Sequence, residues 1–516
     1  MRAEAGTVTP LARRRPGARA ALLLPLLAAL ALGAWNLAFA LPFLFRPDED
    51  VVVGRAVTMA ARGSLDPLFA AYPPLAFDLM ALAEKLAGNV AGPLTGSGAA
   101  AAYLTGREVS LAAFALIVAC TVVAARRVHG IAAAVVSGLL LASAPLAVRQ
   151  AHFATTDMIQ TAFVAGCLCA LAYSRGRRGV MLAAALAGLA GATKYSGGLV
   201  LIAVLVASAR RWGWNRSLLA PLLVAGAFFA LVFVPVLADL PAYVRGLLFL
   251  GGNAADRGRG LPWGWEFMVT QSLPFGLGLG AYPLVVIGLA AALRSRTWWE
   301  LSLISFSAAY YVVQGAGHED FYRYALPLVP ALALLAGPVP GALAAHARRR
   351  ARGARPAEFA AWGVFLLLLL PGAYVSIATD RLLGVTDTRI EAANWIRSHL
   401  APGTSIKSPY YAAPFYSDFQ IKANLRYVSD PLAASFAQGL YTRRYRITPS
   451  PADYSILASG PPEQAPIPTT LDPVLVRFQA GSWGGVYDPL DSFYLPYWGL
   501  WQIQRPGPGL IIVRSS

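Results

Sequence analysis

Charge is scarce in this chain. Only 13% of its 516 residues are Asp, Glu, Lys or Arg, about half the share in an average soluble protein. Cysteine is scarcer still, and Cys120, Cys167 and Cys169 all lie in apolar runs, which argues against a disulfide framework and against a metal cluster. Acidic residues number 26 against 43 Lys and Arg, leaving a net charge of +17. A basic excess of that size points either to nucleic acid or to a membrane topology, and the positions of the charges decide between them. What replaces charge is apolar side chain: 57% of residues are hydrophobic and the mean hydropathy is +0.54. No single soluble core of this length hides so much apolar surface, so the chain needs the bilayer as a second solvent.

A spanning helix takes roughly 20 apolar residues. The pattern predicts spans at about 20–45, 109–125, 131–148, 158–173, 180–193, 197–209, 218–238, 272–293, 298–314, 325–345 and 357–378. The fifth and sixth are short and flank the polar break Lys194-Tyr195-Ser196. With the N-terminus in the cytoplasm, the cytoplasmic segments hold 20 basic and 3 acidic residues, whereas the outer loops before residue 380 hold 11 and 13. So steep an asymmetry fits the positive-inside rule and removes the reason to invoke nucleic acid. The run from Ala20 exceeds the length of a signal-peptide core and reads as a retained span.

After Thr379 the composition changes to a span-free segment rich in Pro, Tyr and Trp. It reads as a small extracytoplasmic α/β domain, 380–516, attached to a membrane domain, 1–379. Thr388 to Glu391 has the form of a capping box opening a helix through Leu400. Strands are expected at 405–407, 425–428, 454–457, 474–478 and 510–513. The fold class is thus an α-helical multi-pass membrane protein of about eleven spans with a small C-terminal α/β domain.

Ionisable groups are costly near hydrocarbon, so those on the outer face mark chemistry. Asp48, Glu49 and Asp50 follow span one directly. They read as a general base with a helper, or as an acidic first turn of a helix beginning at Val51. Tyr72-Pro73-Pro74-Leu75 opens an interfacial helix, Ala76 to Leu86, and by itself is a turn. In His152 to Asp157, the aspartate either binds a metal or a sugar hydroxyl or caps span four. Lys194 and Tyr195 in the break join His318, Glu319 and Arg323 of the loop 317–324, and Arg257 and Arg259 of the loop 239–269. Converging cations at headgroup depth suit a phosphate, and singly they suit headgroup anchoring.

In order, these motifs resemble the membrane-embedded glycosyltransferases of the GT-C fold, specifically the phospholipid-carrier-dependent group of protein O-mannosyltransferases and the lipid A aminoarabinose transferase. The resemblance rests on Pro47-Asp48-Glu49, Tyr72-Pro73-Pro74-Leu75, Arg107, Ser143-Ala144-Pro145 with His152 to Asp157, and Gly188-Leu189-Ala190 with Thr193-Lys194-Tyr195. It continues in Arg323 to Pro330 and in Asp387-Thr388-Arg389 to Trp395-Ile396, and so covers most of the chain. It implies transfer of a sugar from a polyprenyl-phosphate donor to an acceptor hydroxyl of a protein, lipid or glycan, on the extracytoplasmic side and with inversion. It also implies Asp48 as general base, Glu49 as a residue that positions the acceptor or assists the base, and Asp157 as a second acidic site residue. Tyr72 stands where some relatives carry His or Lys, so no role transfers to it. A lipid phosphate leaves without a proton, so one base and several cations suffice. No cofactor is implied with certainty, and a divalent cation stays open because the carboxylates lack a diagnostic ligand spacing. A transporter or flippase of lipid-linked sugars, and an inactive binding homologue, are the alternatives. A transporter more often repeats its broken helices in two halves, and here one break is evident.

Overall fold

A computed structural model describes residues 20–41, 43, 47–89, 97–174, 176–255, 262–318, 321–350, 355–408, 446–447, 452–458, 472–479, 481, 486–488, 493–495, 500 and 502–515. Runs of Ala, Leu and Val with few polar residues form helices throughout the first three quarters, because every backbone group must be paired within its own segment in hydrocarbon. They are α1 (Leu24–Ala34), α2 (Pro47–Arg62), α3 (Leu75–Leu86), α4 (Ser97–His129), α5 (Ile131–Ala142), α6 (Pro145–Ala151), α7 (Thr156–Tyr173), α8 (Arg177–Thr193), α9 (Leu201–Trp212) and α10 (Leu219–Phe233). They continue with α11 (Leu240–Ala255), α12 (Gly264–Phe267), α13 (Leu273–Leu277), α14 (Ala281–Ser295), α15 (Trp298–Gln314), α16 (Val329–Ala336), α17 (Pro338–Arg350), α18 (Arg355–Leu383) and α19 (Thr388–His399).

Among the described residues five helical stretches are long and apolar enough to cross a membrane: Ala100–His129, Thr156–Tyr173, Arg216–Gly252, Tyr322–Arg350 and Glu358–His399. Two bent pairs bring the number to seven, rather than the eleven spans expected. The difference lies in breaks that hydropathy averages over. The third expected span bends by 61° between α5 and α6, where Pro145 offers no N–H to continue the ladder. The eighth bends by 115° ahead of α14, and Gly278, with φ +89°, ends α13 in a left-handed conformation that suits glycine. The first expected span is represented by the 11 residues of α1.

Small residues let the helices approach closely. A methyl group at Gly188 of α8 would overlap the Ala225 carbonyl of α10, whereas one at Gly226, a residue further on, would meet nothing within 4 Å. The apolar core runs from Phe114 and Ile117 through Leu140, Leu168 and Val204 to Trp299 and Phe306. Helix α3 packs Phe77 and Met80 in one cluster with Val53 and Tyr103. It also buries two acids: burial pushes Asp78 up to about 7 and Glu84 up to about 8, the latter partly offset by a 2.7 Å hydrogen bond from Asn89.

Beyond α18 the chain folds as an α/β unit. Helix α19 packs Ala392, Ala393 and Ile396 on Ile406, Ile456 and Ile512 of a five-stranded sheet. Its strands are β1 (Ser405–Lys407), β2 (Arg446–Ile447), β3 (Tyr454–Ala458), β4 (Val474–Phe478) and β7 (Leu510–Arg514), in the order β2-β1-β3-β7-β4. Strands β5 (Val486–Asp488) and β6 (Phe493–Leu495) form a separate hairpin pair. The strand expected at 425–428 lies outside the described residues. Helix α19 opens on Asp387 rather than on a Thr388 capping box. The Asp387 carboxylate accepts from the Arg389 N–H at 2.8 Å, and Thr388 instead donates its hydroxyl to the Pro508 carbonyl at 2.8 Å.

Two outcomes test this packing. Gly188→Ala lowers the melting temperature in detergent, by the equivalent of about 1–3 kcal/mol of overpacking, whereas Gly226→Ala leaves it unchanged or slightly raised; equal effects at both sites contradict the contact. Because Asp78 and Glu84 hold their protons more tightly folded than unfolded, stability declines as pH rises from about 4.5 to 8. The Asp78→Asn/Glu84→Gln variant flattens that decline, as melting curves between pH 5.5 and 8.5 would show.

Candidate active site at one end of the bundle

Proline at the first position starts α2 four residues earlier than expected, so Asp48 and Glu49 occupy its first turn, where the helix dipole favours carboxylates. Their surroundings differ. Glu49 is fully buried and takes a bidentate pair from Arg107 of α4, Nε to Oε1 at 2.9 Å and Nη2 to Oε2 at 3.0 Å. Its Oε1 also accepts the Ala154 N–H at 3.0 Å. Arg107 Nη1 donates to the carbonyls of Leu37 and Phe39 at 3.0 and 2.9 Å, and the guanidinium lies 4.2 Å from the centre of the Phe39 ring. Both oxygens of Glu49 are engaged behind the surface, and it anchors the turn that presents Asp48.

Asp48 is one-third exposed, with Oδ2 3.0 Å from Nη2 of Arg323. Arg323 sits on the short 3₁₀ segment Tyr322–Leu328 that leads into α16, and its guanidinium lies over Phe321 at 4.3 Å and Tyr324 at 5.5 Å. Asp157, in the first turn of α7, is no cap: its Oδ1 receives Lys194 Nζ at 2.8 Å. Lys194 occupies an extended residue between α8 and the 3₁₀ segment Tyr195–Val200, so the polar break in the sequence is a real break that delivers this ammonium. Its Nζ lies 4.5 Å from the Tyr324 ring centre and 5.7 Å from that of Tyr72. Two acid–base pairs thus meet across one aromatic ring, brought there by α2, α7, the α8 break and the segment before α16.

The remaining expected residues fall elsewhere. Tyr195 packs against Phe233, Val236 and Tyr243. The His318 ring lies 4.1 Å from Trp263, which stacks on Trp265 at 5.3 Å. Glu319, Arg257 and Arg259 lie outside the described residues. Tyr324 and the anchoring use of Arg107 escape sequence reasoning about the site, although an arginine inside an apolar helix is itself a signal. His152 is buried with both ring nitrogens 2.9 Å from carbonyls, of Val148 and Trp35. Its Nε2 is 3.7 Å from Oδ1 of the buried Asp380, at the end of α18. Among the described residues no three His, Cys, Asp or Glu side chains gather as metal ligands would.

This architecture is that of a known class. The structure of ArnT from Cupriavidus metallidurans bound to undecaprenyl phosphate superposes with a TM-score of 0.52 at 17% identity, covering 85% of this chain and 93% of that one. The archaeal oligosaccharyltransferase AglB from Archaeoglobus fulgidus, in complex with an inhibitory peptide and a dolichol-phosphate, gives 0.52 at 12% identity, over 86% and 69%. The chain has the GT-C fold of these multi-pass membrane proteins. Within it, residues 73–238 match the family model for dolichyl-phosphate-mannose-protein mannosyltransferase, a stretch that contains Arg107, Asp157 and Lys194. No curated protein matches the chain.

Breaking the buried pair on one side leaves an uncompensated charge. Glu49→Leu and Arg107→Met each cost about 3–5 kcal/mol of stability, and the double variant recovers part of it. Additive losses in a double-mutant cycle, read by unfolding in detergent, would contradict the coupling.

Proposed function

We propose that this protein is an integral-membrane glycosyltransferase that moves a sugar from a polyprenyl-phosphate donor to an acceptor hydroxyl, on the outer face and with inversion. The observation that carries the reading is the pairing of Asp48 with Arg323 and of Asp157 with Lys194 around Tyr324. One exposed carboxylate beside two cations, in a lipid-facing bundle, is the equipment this transfer needs. Asp48 takes the proton of the acceptor hydroxyl as its oxygen attacks the anomeric carbon. The bond to the carrier phosphate breaks, and Arg323 and Lys194 stabilise the charge that develops there. Guanidinium and ammonium groups both bind phosphate oxygens strongly.

In this reading the donor phosphate competes with the carboxylates for the two cations. Drawing Arg323 from Asp48 leaves that carboxylate a stronger base, so donor binding prepares the base for the acceptor. Glu49 acts as a positioning residue through its tie to Arg107. Asp157 holds Lys194 in place until phosphate arrives. Tyr195, His318, Glu319, Arg257 and Arg259 stay candidates for donor or acceptor contacts on the grounds of the sequence alone. In this reading the domain 380–516 is extracytoplasmic and the N-terminus cytoplasmic, as the distribution of Lys and Arg favours. No step is routed through a metal.

The test uses purified protein with a panel of polyprenyl-phosphate sugars, mass spectrometry reporting which donors lose their sugar and onto what. Asp48→Asn lowers transfer by about 10²- to 10⁴-fold while undecaprenyl phosphate still binds. Wild-type transfer by Asp48→Asn rules the assignment out.

A further inference from the structure

The arginine-rich end of the helices, opposite Asp48, carries a cavity. Helices α17 and α18 pair there, and with the start of α5 they enclose a cleft of about 600 Å³, within the range of about 300–1,000 Å³ typical of small-molecule sites. Its inner wall is small and apolar: Ala132 of α5 and Gly341, Ala344 and Ala345 of α17. Trp362 closes one side, and Arg348 and Arg349 stand at the mouth with Glu358. The stretch Tyr322–Arg350 is long and apolar enough to span, and Glu358–His399 is another, so the cleft opens where two spans meet the membrane surface.

Charge at the mouth is unbalanced. Arg348 approaches Glu358 at 3.6 Å, with both side chains well exposed, and a pair of that kind contributes little. Arg349 makes no ion pair among the described residues. Two guanidinium groups over one carboxylate favour an anion, and the apolar wall beneath them favours an anion that carries hydrocarbon. Basic pockets between spanning helices bind anionic headgroups on these grounds. Tryptophan at this depth suits the boundary between headgroup and acyl chain.

We propose that this cleft is a binding site for an anionic diacyl phospholipid of the bordering leaflet. The headgroup phosphate is held by Arg348 and Arg349, and the upper part of one acyl chain lies along Gly341 and Ala344. The site is independent of the proposed transfer reaction, which takes place at the far end of the bundle. It would tie α17 to α18 and so steady the helix that begins the outer domain's connection.

Gly341 supplies the decisive variant, because it lines the cleft and a Cβ there meets nothing within 4 Å. Full-length protein in detergent is titrated with phosphatidylglycerol, phosphatidylcholine, undecaprenyl phosphate or inorganic phosphate, and bound lipid is counted by native mass spectrometry. Wild type retains phosphatidylglycerol over phosphatidylcholine. Arg349→Gln weakens that retention about fivefold, and Gly341→Phe abolishes it while leaving the lipid-free melting temperature near that of wild type. Arg349→Gln keeps the test decisive if Gly341→Phe fails to fold. Undiminished phosphatidylglycerol retention in both variants overturns the proposal. So does displacement of the lipid by millimolar inorganic phosphate, or a preference for undecaprenyl phosphate.

Discussion

A guanidinium buried among a carboxylate and two carbonyls organises the end of the bundle that carries Asp48. Arg107 binds Glu49 in a bidentate pair and takes the Leu37 and Phe39 carbonyls, while Glu49 takes the Ala154 amide. One contact set therefore joins the loop after α1, the first turn of α2 and the loop before α7. Burying two charges costs several kcal/mol each, and only saturated hydrogen bonding offsets it. The geometry is correspondingly unforgiving. Asp48 is the neighbour of one anchored residue and Asp157 lies three residues past another, so both inherit their positions from Arg107.

Upon that base the site is an arrangement of opposed charges held apart by an aromatic ring. Each carboxylate has a cation at hydrogen-bonding distance, and both cations lie within 5.5 Å of the Tyr324 ring centre. Contacts between cation and ring compensate part of the positive charge without supplying an anion, so a phosphate still finds both groups receptive.

Much of this was readable from composition and order. The apolar runs announced the helices, the Pro-Pro turn announced α3 to within one residue, and the polar break at Lys194 is a break in the fold. What escaped was set by partners distant in sequence. Asp157 reads in the sequence as a ligand or a cap, and nothing local announces its ion pair with Lys194, 37 residues away. Thr388 had the form of a cap, but its hydroxyl is taken by Pro508, 120 residues on. Hydropathy also merged α5 with α6, since Pro145 and its neighbours are apolar while the bend depends on a missing N–H. Glu49 and Asp48 look alike in sequence, and only burial separates the anchor from the exposed carboxylate.

The account stands or falls on where a carrier phosphate settles. The most direct measurement is a structure of the full-length protein with undecaprenyl phosphate bound. The account predicts the phosphate beside Tyr324, within hydrogen-bonding reach of Lys194 Nζ and the Arg323 guanidinium, with Asp48 released from Arg323. A phosphate bound elsewhere, with both acid–base pairs intact, would contradict it.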